Sequence, residues 1–227
     1  MYYQIQDKHF LFTNFCYLCS VLINKMMNNL KNIAVFCGSS RGRTTVYADK
    51  SIELARYFVK NNITMINGGG SIGLMGIMAD EIIALGGKSI GVIPLHLKDL
   101  EVAHSDMDEM LITHDMAGRM KVIVEMADAF ITLPGGFGTL DELFEVLTLS
   151  QLNIHNKPVG LLNINGFFDP LLQMLDKMKS EGYLSEFSFE LLLVDQEVDG
   201  LCEKMRSFEK PGFSVQKIID AKTEKIG

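Results

Sequence analysis

The chain has 227 residues, of which 48% are hydrophobic and 22% charged, a composition that supports a buried core and excludes wholesale disorder. Its net charge of −7 argues against a broad nucleic-acid footprint, because such a footprint needs a basic face. Four cysteines are too few for a disulfide scaffold and favour a reduced, cytoplasmic setting. No stretch approaches the ~20 apolar residues of a membrane span.

Residues 1–29 differ in composition from the rest of the chain. Residues 10–23 form an apolar run with little periodicity, and they lack the basic start and small-residue cleavage site of a signal peptide. Two interpretations stay open. The segment is either an upstream extension of a chain whose true start is Met26 or Met27, or an added amphipathic arm that packs against a partner subunit.

From Asn32 onward, short apolar runs alternate with helical patterns. The predicted strands are 33–37, 63–66, 89–93, 110–113, 129–133, 158–162 and 191–194, and the predicted helices are 45–60, 74–85, 116–126, 140–151, 170–181 and 198–207. Residues 95–110 are predicted to form an exposed loop, and residues 211–227 a polar tail. The alternation predicts an α/β fold, with one domain over 30–210 built as a Rossmann-like, doubly wound parallel sheet with helices on both faces.

Three glycine-rich loops each follow a predicted strand and precede a helix. They are Cys37-Gly38-Ser39-Ser40-Arg41-Gly42, Gly68-Gly69-Gly70-Ser71-Ile72-Gly73-Leu74-Met75-Gly76 and Pro134-Gly135-Gly136-Phe137-Gly138-Thr139. Ligands of such sheets bind at the carboxyl ends of the strands, where glycine lets backbone N–H groups and the helix dipole approach an anion. The loops predict a nucleotide or sugar-phosphate site that includes Gly38, Ser39, Gly69, Gly70 and Gly73. The alternative is that the glycines serve only tight packing of strands against helices.

Two common nucleotide motifs fit this chain poorly. The spacing G-x-G-x-x-G at 68–73 follows the second strand rather than the first, and no acidic residue closes a strand about 20 residues later. A Walker A sequence is absent from the chain. Binding of NAD and hydrolysis of ATP are therefore disfavoured.

Two charged residues stand beside the glycine loops. Thr139 and Glu142 have the T-x-x-E spacing of a capping box. Alternatively, Glu142 faces the sugar of a bound nucleotide, where a carboxylate would stabilise an oxocarbenium-like transition state and activate water. Arg119, on the preceding helix, is either a surface residue or a bidentate ligand of phosphate or carboxylate.

Metal chemistry has little support in the sequence. The five histidines show no ligand spacing. Asp106, Asp108 and Glu109 are the densest acids near a loop, and a magnesium-dependent phosphotransferase or pyrophosphorylase would need such a cluster. We expect a solvated loop face there, and neither a metal nor another cofactor in the protein.

The sequences GGGSIGLMG at 68–76 and PGGFGTLDE at 134–142, together with Arg119, resemble the Lonely Guy (LOG) family of cytokinin riboside 5'-monophosphate phosphoribohydrolases, whose motif is PGGxGTxxE. The resemblance implies hydrolysis of the N-glycosidic bond of a nucleoside 5'-monophosphate, giving free base and ribose 5-phosphate. It also implies a small-molecule nucleotide as the partner, and a homodimer or higher homo-oligomer whose interface lies close to the site. The older family label "lysine decarboxylase-like" has no support, because no convincing pyridoxal-phosphate lysine site is present.

The resemblance also implies roles for individual residues. Glu142 matches the catalytic glutamate, and Arg119 its catalytic arginine partner. The motif loop that includes Phe137 would hold the 5'-phosphate through Gly135, Gly136, Gly138 and Thr139. Glu101 and Thr148 match positions of further ligand contacts.

Two departures from the family pattern leave the choice of substrate open. The family usually reads M-H-x-R-K around the arginine, and this chain has Ala117 and Met120 at the histidine and lysine positions. Asn67 stands where the family often has tyrosine. Plain AMP therefore fits as well as a cytokinin nucleotide. A non-catalytic nucleotide or molybdenum-cofactor carrier of the same fold is the alternative, although such a carrier would need neither Glu142 nor Arg119.

Overall fold

A computed structural model of the protein describes residues 30–98 and 103–211. The predicted N-terminal extension, the tail beyond Pro211 and Glu101 lie outside these residues. The described strands are β1 (Asn32–Phe36), β2 (Thr64–Asn67), β3 (Ser89–Pro94), β4 (Glu109–Thr113), β5 (Ala129–Thr132), β6 (Val159–Leu162) and β7 (Leu192–Asp195). The α-helices are α1 (Val46–Lys60), α2 (Gly73–Ala84), α3 (Leu95–Lys98), α4 (Met116–Met126), α5 (Phe137–Gln151), α6 (Asp169–Ser180), α7 (Glu186–Phe189) and α8 (Val198–Arg206).

The seven strands form one sheet in the order β4-β3-β2-β1-β5-β6-β7. All neighbouring strands are parallel. From β1 the chain proceeds outward to β4, then returns to the other side of β1 as β5 and continues to β7. The winding therefore reverses between β1 and β5, which confirms the predicted doubly wound fold and locates its ligand crevice at the carboxyl ends of these two strands.

The central strands are apolar on both faces, because helices cover both sides of the sheet. Side chains of β1 alternate between two cores. Ile33 and Val35 pack in the core that contains residues of α1, α2 and α8. Ala34 and Phe36 pack in the opposite core, which contains residues of α4 and α5. The three helices of the first core and the two of the second hold the carboxyl ends of β1 and β5 in fixed positions.

The sequence signals for the end of α2 agree with the structure, and the prediction for residues 95–110 differs from it. Helix α2 stops at the predicted glycines, where Gly86 has φ +72° and the Gly87 N–H donates to the Ile82 carbonyl. Residues 95–110 are not simply an exposed loop, because they begin with helix α3 and bury His104 and Met107. Among the described residues, no helix is both long and apolar enough to cross a bilayer.

Candidate active site

The three glycine loops meet at the reversal point of the sheet. The Gly38 N–H donates to the Pro134 carbonyl at 3.0 Å, which joins the loop after β1 to the loop after β5. The Leu74 N–H donates to the Gly38 carbonyl at 3.0 Å, which joins the loop after β2 to the first loop. The first loop thus lies between the other two, in hydrogen-bond contact with both.

Tight packing accounts for some of the loop glycines. Gly73 has φ +67°, and a Cβ there would lie 2.2 Å from the backbone carbonyl carbon of Ser39. A Cβ on Gly135 would lie 2.1 Å from Thr139 Oγ1. A Cβ on Gly136 or Gly138, in contrast, would meet nothing within 4 Å. Packing therefore does not require glycine at Gly136 and Gly138, which border open space at the start of α5.

The start of α5 argues against the capping-box interpretation. The N-cap residue of the helix is Gly136, and no side chain of the described residues caps it. Thr139 is therefore the third residue of the helix and Glu142 the sixth, so the T-x-x-E spacing does not place a threonine at the N-cap. The first turn keeps uncapped backbone N–H groups and the positive end of the helix dipole, an arrangement that suits an anion.

A cavity of about 280 Å³ opens beside the first and third loops. Its described lining consists of Gly38, Ser39, Ser40, Arg41, Gly42, Tyr47, Leu74, Pro134, Gly135, Gly136 and Phe167. Tyr47 is on α1, so the cavity opens toward the α1 side of the loops, whereas α4 and α5 cover the opposite face of the sheet. Gly135 and Gly136 also line the cavity, and Gly136 is the N-cap residue of α5, so the cavity reaches the start of the helix that carries Glu142.

Glu142 and Arg119 form a buried ion pair. Arg119 Nη2 donates to Glu142 Oε1 at 2.8 Å, and the side chains of Arg119 and Glu142 are only 8% and 10% exposed, respectively. Arg119 is therefore not a surface residue. Its Nε is buried without a hydrogen-bond partner among the described residues. Burying two charges is costly unless they pair well, so a buried pair at the ligand end of a sheet marks a candidate functional site.

The ion pair is bordered by the first and second glycine loops. A Cβ on Gly68 would lie 2.4 Å from Arg119 Nη2, so the guanidinium occupies space that only glycine leaves free. On the other side, burial chiefly, with the charge of Glu142 as the second cause, raises the pKa of the Cys37 thiol. Cys37 immediately precedes Gly38, and the Glu142 carboxylate therefore stands close to the loop that forms the cavity.

Helix α4 begins in a way that orients Arg119. Asp115 is the N-cap residue, and its side chain accepts a hydrogen bond of 2.7 Å from the Gly118 N–H. This bond fixes the first turn of α4, and the burial of Ile123 in the core holds the helix against β3 and β4. The Arg119 side chain can then extend across the sheet edge toward α5.

The structure places the predicted site residues in three groups. The first lines or supports the cavity, the second lies farther along the sheet edge, and the third lies on α5 or outside the described ranges. Gly38, Ser39, Gly135 and Gly136 line the cavity, and Gly73 packs directly against the first loop. Gly69 and Gly70 lie farther along the sheet edge, where the Gly69 carbonyl accepts from the His104 N–H and Gly70 forms a β-bridge with Ala103.

The remaining predicted residues lie on α5 or outside the described ranges. Thr139 is buried and Phe137 is 95% exposed. Thr148 is exposed, and its hydroxyl donates to the Phe144 carbonyl within α5, so the structure does not bring it to the ion pair. Glu101 stays a prediction, because it is not among the described residues.

The departures from the family pattern have clear local environments. Asn67 is buried, and its Oδ1 accepts from the Gly69 N–H at 2.8 Å, which supports the turn of the second loop. Both other residues are on α4, where Met120 is buried in the core and Ala117 is exposed. Neither residue supplies a donor or a charge next to Arg119.

Asp108 and Glu109 of the acidic cluster lie at the amino ends of strands, away from the carboxyl ends where the glycine loops meet. Asp108 Oδ2 accepts from the Ser89 N–H at 2.8 Å at the start of β3, the amino end of the sheet. Asp106 is exposed. Within the described ranges, no three His, Cys, Asp or Glu side chains are grouped closely enough to hold a metal ion.

Of the other residues that line the cavity, sequence reasoning included Ser40, Arg41, Gly42, Leu74 and Pro134 only as parts of the glycine loops, and it missed Tyr47 and Phe167 altogether. Arg41 was detectable, since it is a cation directly after the Gly-Ser-Ser turn of the first loop. Tyr47 and Phe167 pack edge to face with ring centroids 5.9 Å apart, and they come from α1 and from the segment after β6. No local signal could reveal this contact, because it depends on which strands are neighbours.

Solved structures share this fold. The molybdenum cofactor binding protein from Rippkaea orientalis aligns with a TM-score of 0.60 at 20% identity, over 78% of this chain and 96% of that one. The Moco carrier protein from Chlamydomonas reinhardtii aligns with a TM-score of 0.57 at 18% identity, over 85% of this chain and 99% of that one. At these identities the likeness concerns the fold alone.

Sequence comparison is more specific. A family model described as "possible lysine decarboxylase" matches residues 75–205. Cytokinin riboside 5'-monophosphate phosphoribohydrolase LOG2 of Arabidopsis thaliana is 43% identical over 73% of this chain and 78% of that protein. Probable cytokinin riboside 5'-monophosphate phosphoribohydrolase LOGL1 of Oryza sativa is 40% identical over 78% of this chain and 80% of that protein. As the glycine loops, Glu142 and Arg119 predict, the chain therefore belongs to the LOG family.

Proposed function

We propose that the chain hydrolyses the N-glycosidic bond of a nucleoside 5'-monophosphate, either a cytokinin riboside monophosphate or AMP. The products are the free base and ribose 5-phosphate. The observation that carries the proposal is the buried Glu142–Arg119 pair at the reversal point of the sheet. The names of the relatives support the same activity.

The third loop and the start of α5 would hold the 5'-phosphate. Gly136 and Gly138 leave open space, and the uncapped first turn of α5 offers N–H groups to an anion. Gly135 and Thr139 pack on each other and fix the shape of this turn. Because the phosphate does not react, its binding energy would orient the ribose for the chemical step.

Glu142 stands within reach of a ribose whose phosphate is bound there. It follows Gly136 by six residues, about 9 Å along the helix axis. Helical side chains lean toward the helix N-terminus, which shortens that separation. The position of the carboxylate near Cys37 supports the same placement, at the end of β1.

The proposed step breaks the bond between the ribose C1' and the base nitrogen, and the electron pair leaves with the base. A water oxygen bonds to C1', the proton that the water loses passes to Glu142, and Glu142 then gives that proton to the departing base nitrogen, which regenerates the carboxylate. Glu142 would also stabilise the positive charge that develops on the ribose. Arg119 would orient Glu142 and favour its ionised form through charge pairing. This sequence of events requires no metal.

A non-catalytic carrier of the same fold is the second candidate. The carrier names among the solved structures are the observation in its favour, but their identities are too low to support more than the fold. A carrier would have no use for a buried carboxylate that lies beside the bound sugar. We therefore rank the hydrolase first.

We also propose a homodimer in the cytoplasm, with one catalytic domain over residues 30–210. The described cysteines, Cys37 and Cys202, are buried free thiols, as expected where thiols stay reduced. Phe137 is 95% exposed at the start of α5, and covering it with a second copy would remove this apolar surface from water next to the site.

The proposal is tested by product release from AMP and from isopentenyladenosine monophosphate. Chromatography would follow the free base formed by wild type, Glu142→Ala and the control Glu145→Ala, whose exposed carboxylate is on the same helix. We expect base from wild type and the control, and a loss of at least about 100-fold for Glu142→Ala.

The ratio between the two substrates would decide between a cytokinin nucleotide and AMP. If wild type binds AMP but releases no base from either nucleotide, the carrier replaces the hydrolase. If Glu142→Ala retains wild-type rates, the assignment of Glu142 is wrong.

A further inference from the structure

The cavity beside the glycine loops has one charged residue in its described lining, Arg41. The other lining residues are glycines, serines, a proline, a leucine and two aromatic residues, and none of them is acidic. The cavity therefore has positive character from Arg41 and from the neighbouring start of α5. An anionic group is the ligand that such a cavity suits.

The Arg41 guanidinium has no partner within the described ranges. No ion pair or hydrogen bond joins it to another residue there, and the residue is exposed at the cavity. Arg56 and Arg119, in contrast, pair with Glu81 and Glu142. Arg41 is thus available to a ligand without breaking an existing contact.

The turn after Arg41 keeps it at the cavity. Gly42 has φ +76°, a backbone conformation that favours glycine, and a Cβ there would lie 2.8 Å from the Tyr47 ring. The Tyr47 ring therefore packs directly on the turn. Because Tyr47 also contacts Phe167, an aromatic wall closes the side of the cavity that faces α1. Apolar walls lower the local dielectric and strengthen a charge contact inside.

We infer that Arg41 is a specificity-determining residue that binds the phosphate end of the nucleotide and makes the enzyme prefer nucleotides to nucleosides. The inference rests on the proposed function, since it names a further contact to the same substrate. The backbone N–H groups of α5 and the Arg41 guanidinium would hold the phosphate from two sides. The guanidinium can form two parallel hydrogen bonds to phosphate oxygens, which an ammonium group cannot.

The test measures binding separately from hydrolysis. Calorimetry would give the affinities of wild type, Arg41→Ala and Arg41→Lys for ribose 5-phosphate and for adenosine. Arg43→Ala is the matched control, because Arg43 is an exposed arginine two residues away that does not line the cavity. We expect Arg41→Ala to weaken ribose 5-phosphate binding about tenfold, while adenosine binding changes less than about twofold. Arg41→Lys is expected to restore part of the loss.

Steady-state kinetics supply a second readout. For Arg41→Ala we expect a KM for AMP raised about tenfold with kcat nearly unchanged, since the backbone N–H groups of α5 would still hold the phosphate and orient the ribose in the bound complex. Equal effects of Arg41→Ala and Arg43→Ala, or an equal loss for adenosine and ribose 5-phosphate, would overturn the inference. Failure of the proposed function looks different: wild type would bind ribose 5-phosphate but release no base from AMP.

Discussion

At the scale of single residues, the site depends on the space that Gly68 leaves because glycine has no side chain. Gly68 has no unusual backbone angle, so its conformation does not require glycine. What requires glycine is Arg119, whose Nη2 would lie 2.4 Å from an added Cβ. The contact joins the second loop to the ion pair. It also explains why the run of glycines after β2 matters, although the cavity is formed mainly by the other two loops.

We predict that Gly68→Ala lowers kcat by about 10-fold or more and leaves the fold intact. The added methyl would meet the end of a flexible side chain, which can move, and the guanidinium would then leave Glu142 Oε1. Steady-state kinetics on the single variants and on the Gly68→Ala, Arg119→Ala double variant would measure the effect.

If the methyl acts through Arg119, the double variant should be no slower than Arg119→Ala alone. Independent, multiplying losses would show that Gly68 acts in another way. Thermal unfolding of the same proteins provides the control for folding.

At the scale of elements, the loops are spaced by backbone contacts rather than by side chains. The start of α2 approaches the first loop so closely that Gly73, at φ +67°, would place a Cβ 2.2 Å from Ser39. The Leu74 N–H then bonds to the Gly38 carbonyl. The position of the first loop, and with it the cavity, therefore depends on how α2 begins.

Gly86 and Gly73 have similar φ angles but different surroundings. Replacing each of them therefore distinguishes the cost of backbone strain from the cost of a packing clash. Gly86, at φ +72°, ends α2, and a Cβ there would meet nothing within 4 Å. We predict that Gly86→Ala lowers the free energy of unfolding by about 1 kcal/mol, the cost of the left-handed conformation alone. Gly73→Ala should lose on the order of 3 kcal/mol or more, because a backbone clash is added. Urea unfolding would measure both variants, and equal losses would contradict the packing argument.

At the scale of the whole molecule, sequence periodicity predicts the helices and strands, but it does not predict which of them become neighbours in the fold. The seven strands and the six longer helices are predictable, since each has a clear apolar period and glycine or proline at its ends. The start of α5 was misplaced by three residues, because Gly136, rather than Thr139, is the N-cap. The pairing of β1 with β5 brings Cys37 close to Glu142 and Tyr47 close to Phe167, and contacts between distant segments leave no local signal in one sequence.

The stability of the whole domain should also depend on pH through His155, which joins α5 to the segment before β6. Its Nε2–H donates to the Val146 carbonyl at 2.9 Å, and its Nδ1 accepts from the Lys157 N–H at 3.1 Å, so the ring is held in its neutral form. Burial chiefly, with the nearby charges of Lys157 and Lys210, lowers the pKa of His155 from 6.5 to about 4.

A histidine with a lowered pKa stabilises the fold fully above the unfolded pKa, and that contribution disappears as the pH falls from about 6.5 toward 4. We predict that wild type loses on the order of 2 kcal/mol more than His155→Gln between pH 7 and about 4.5, measured by urea unfolding. Carboxylates titrate in both proteins, so their effect cancels in the difference. His114→Gln, at an exposed histidine, should follow wild type. Parallel pH profiles for wild type and His155→Gln would instead mean that the buried ring is protonated without cost.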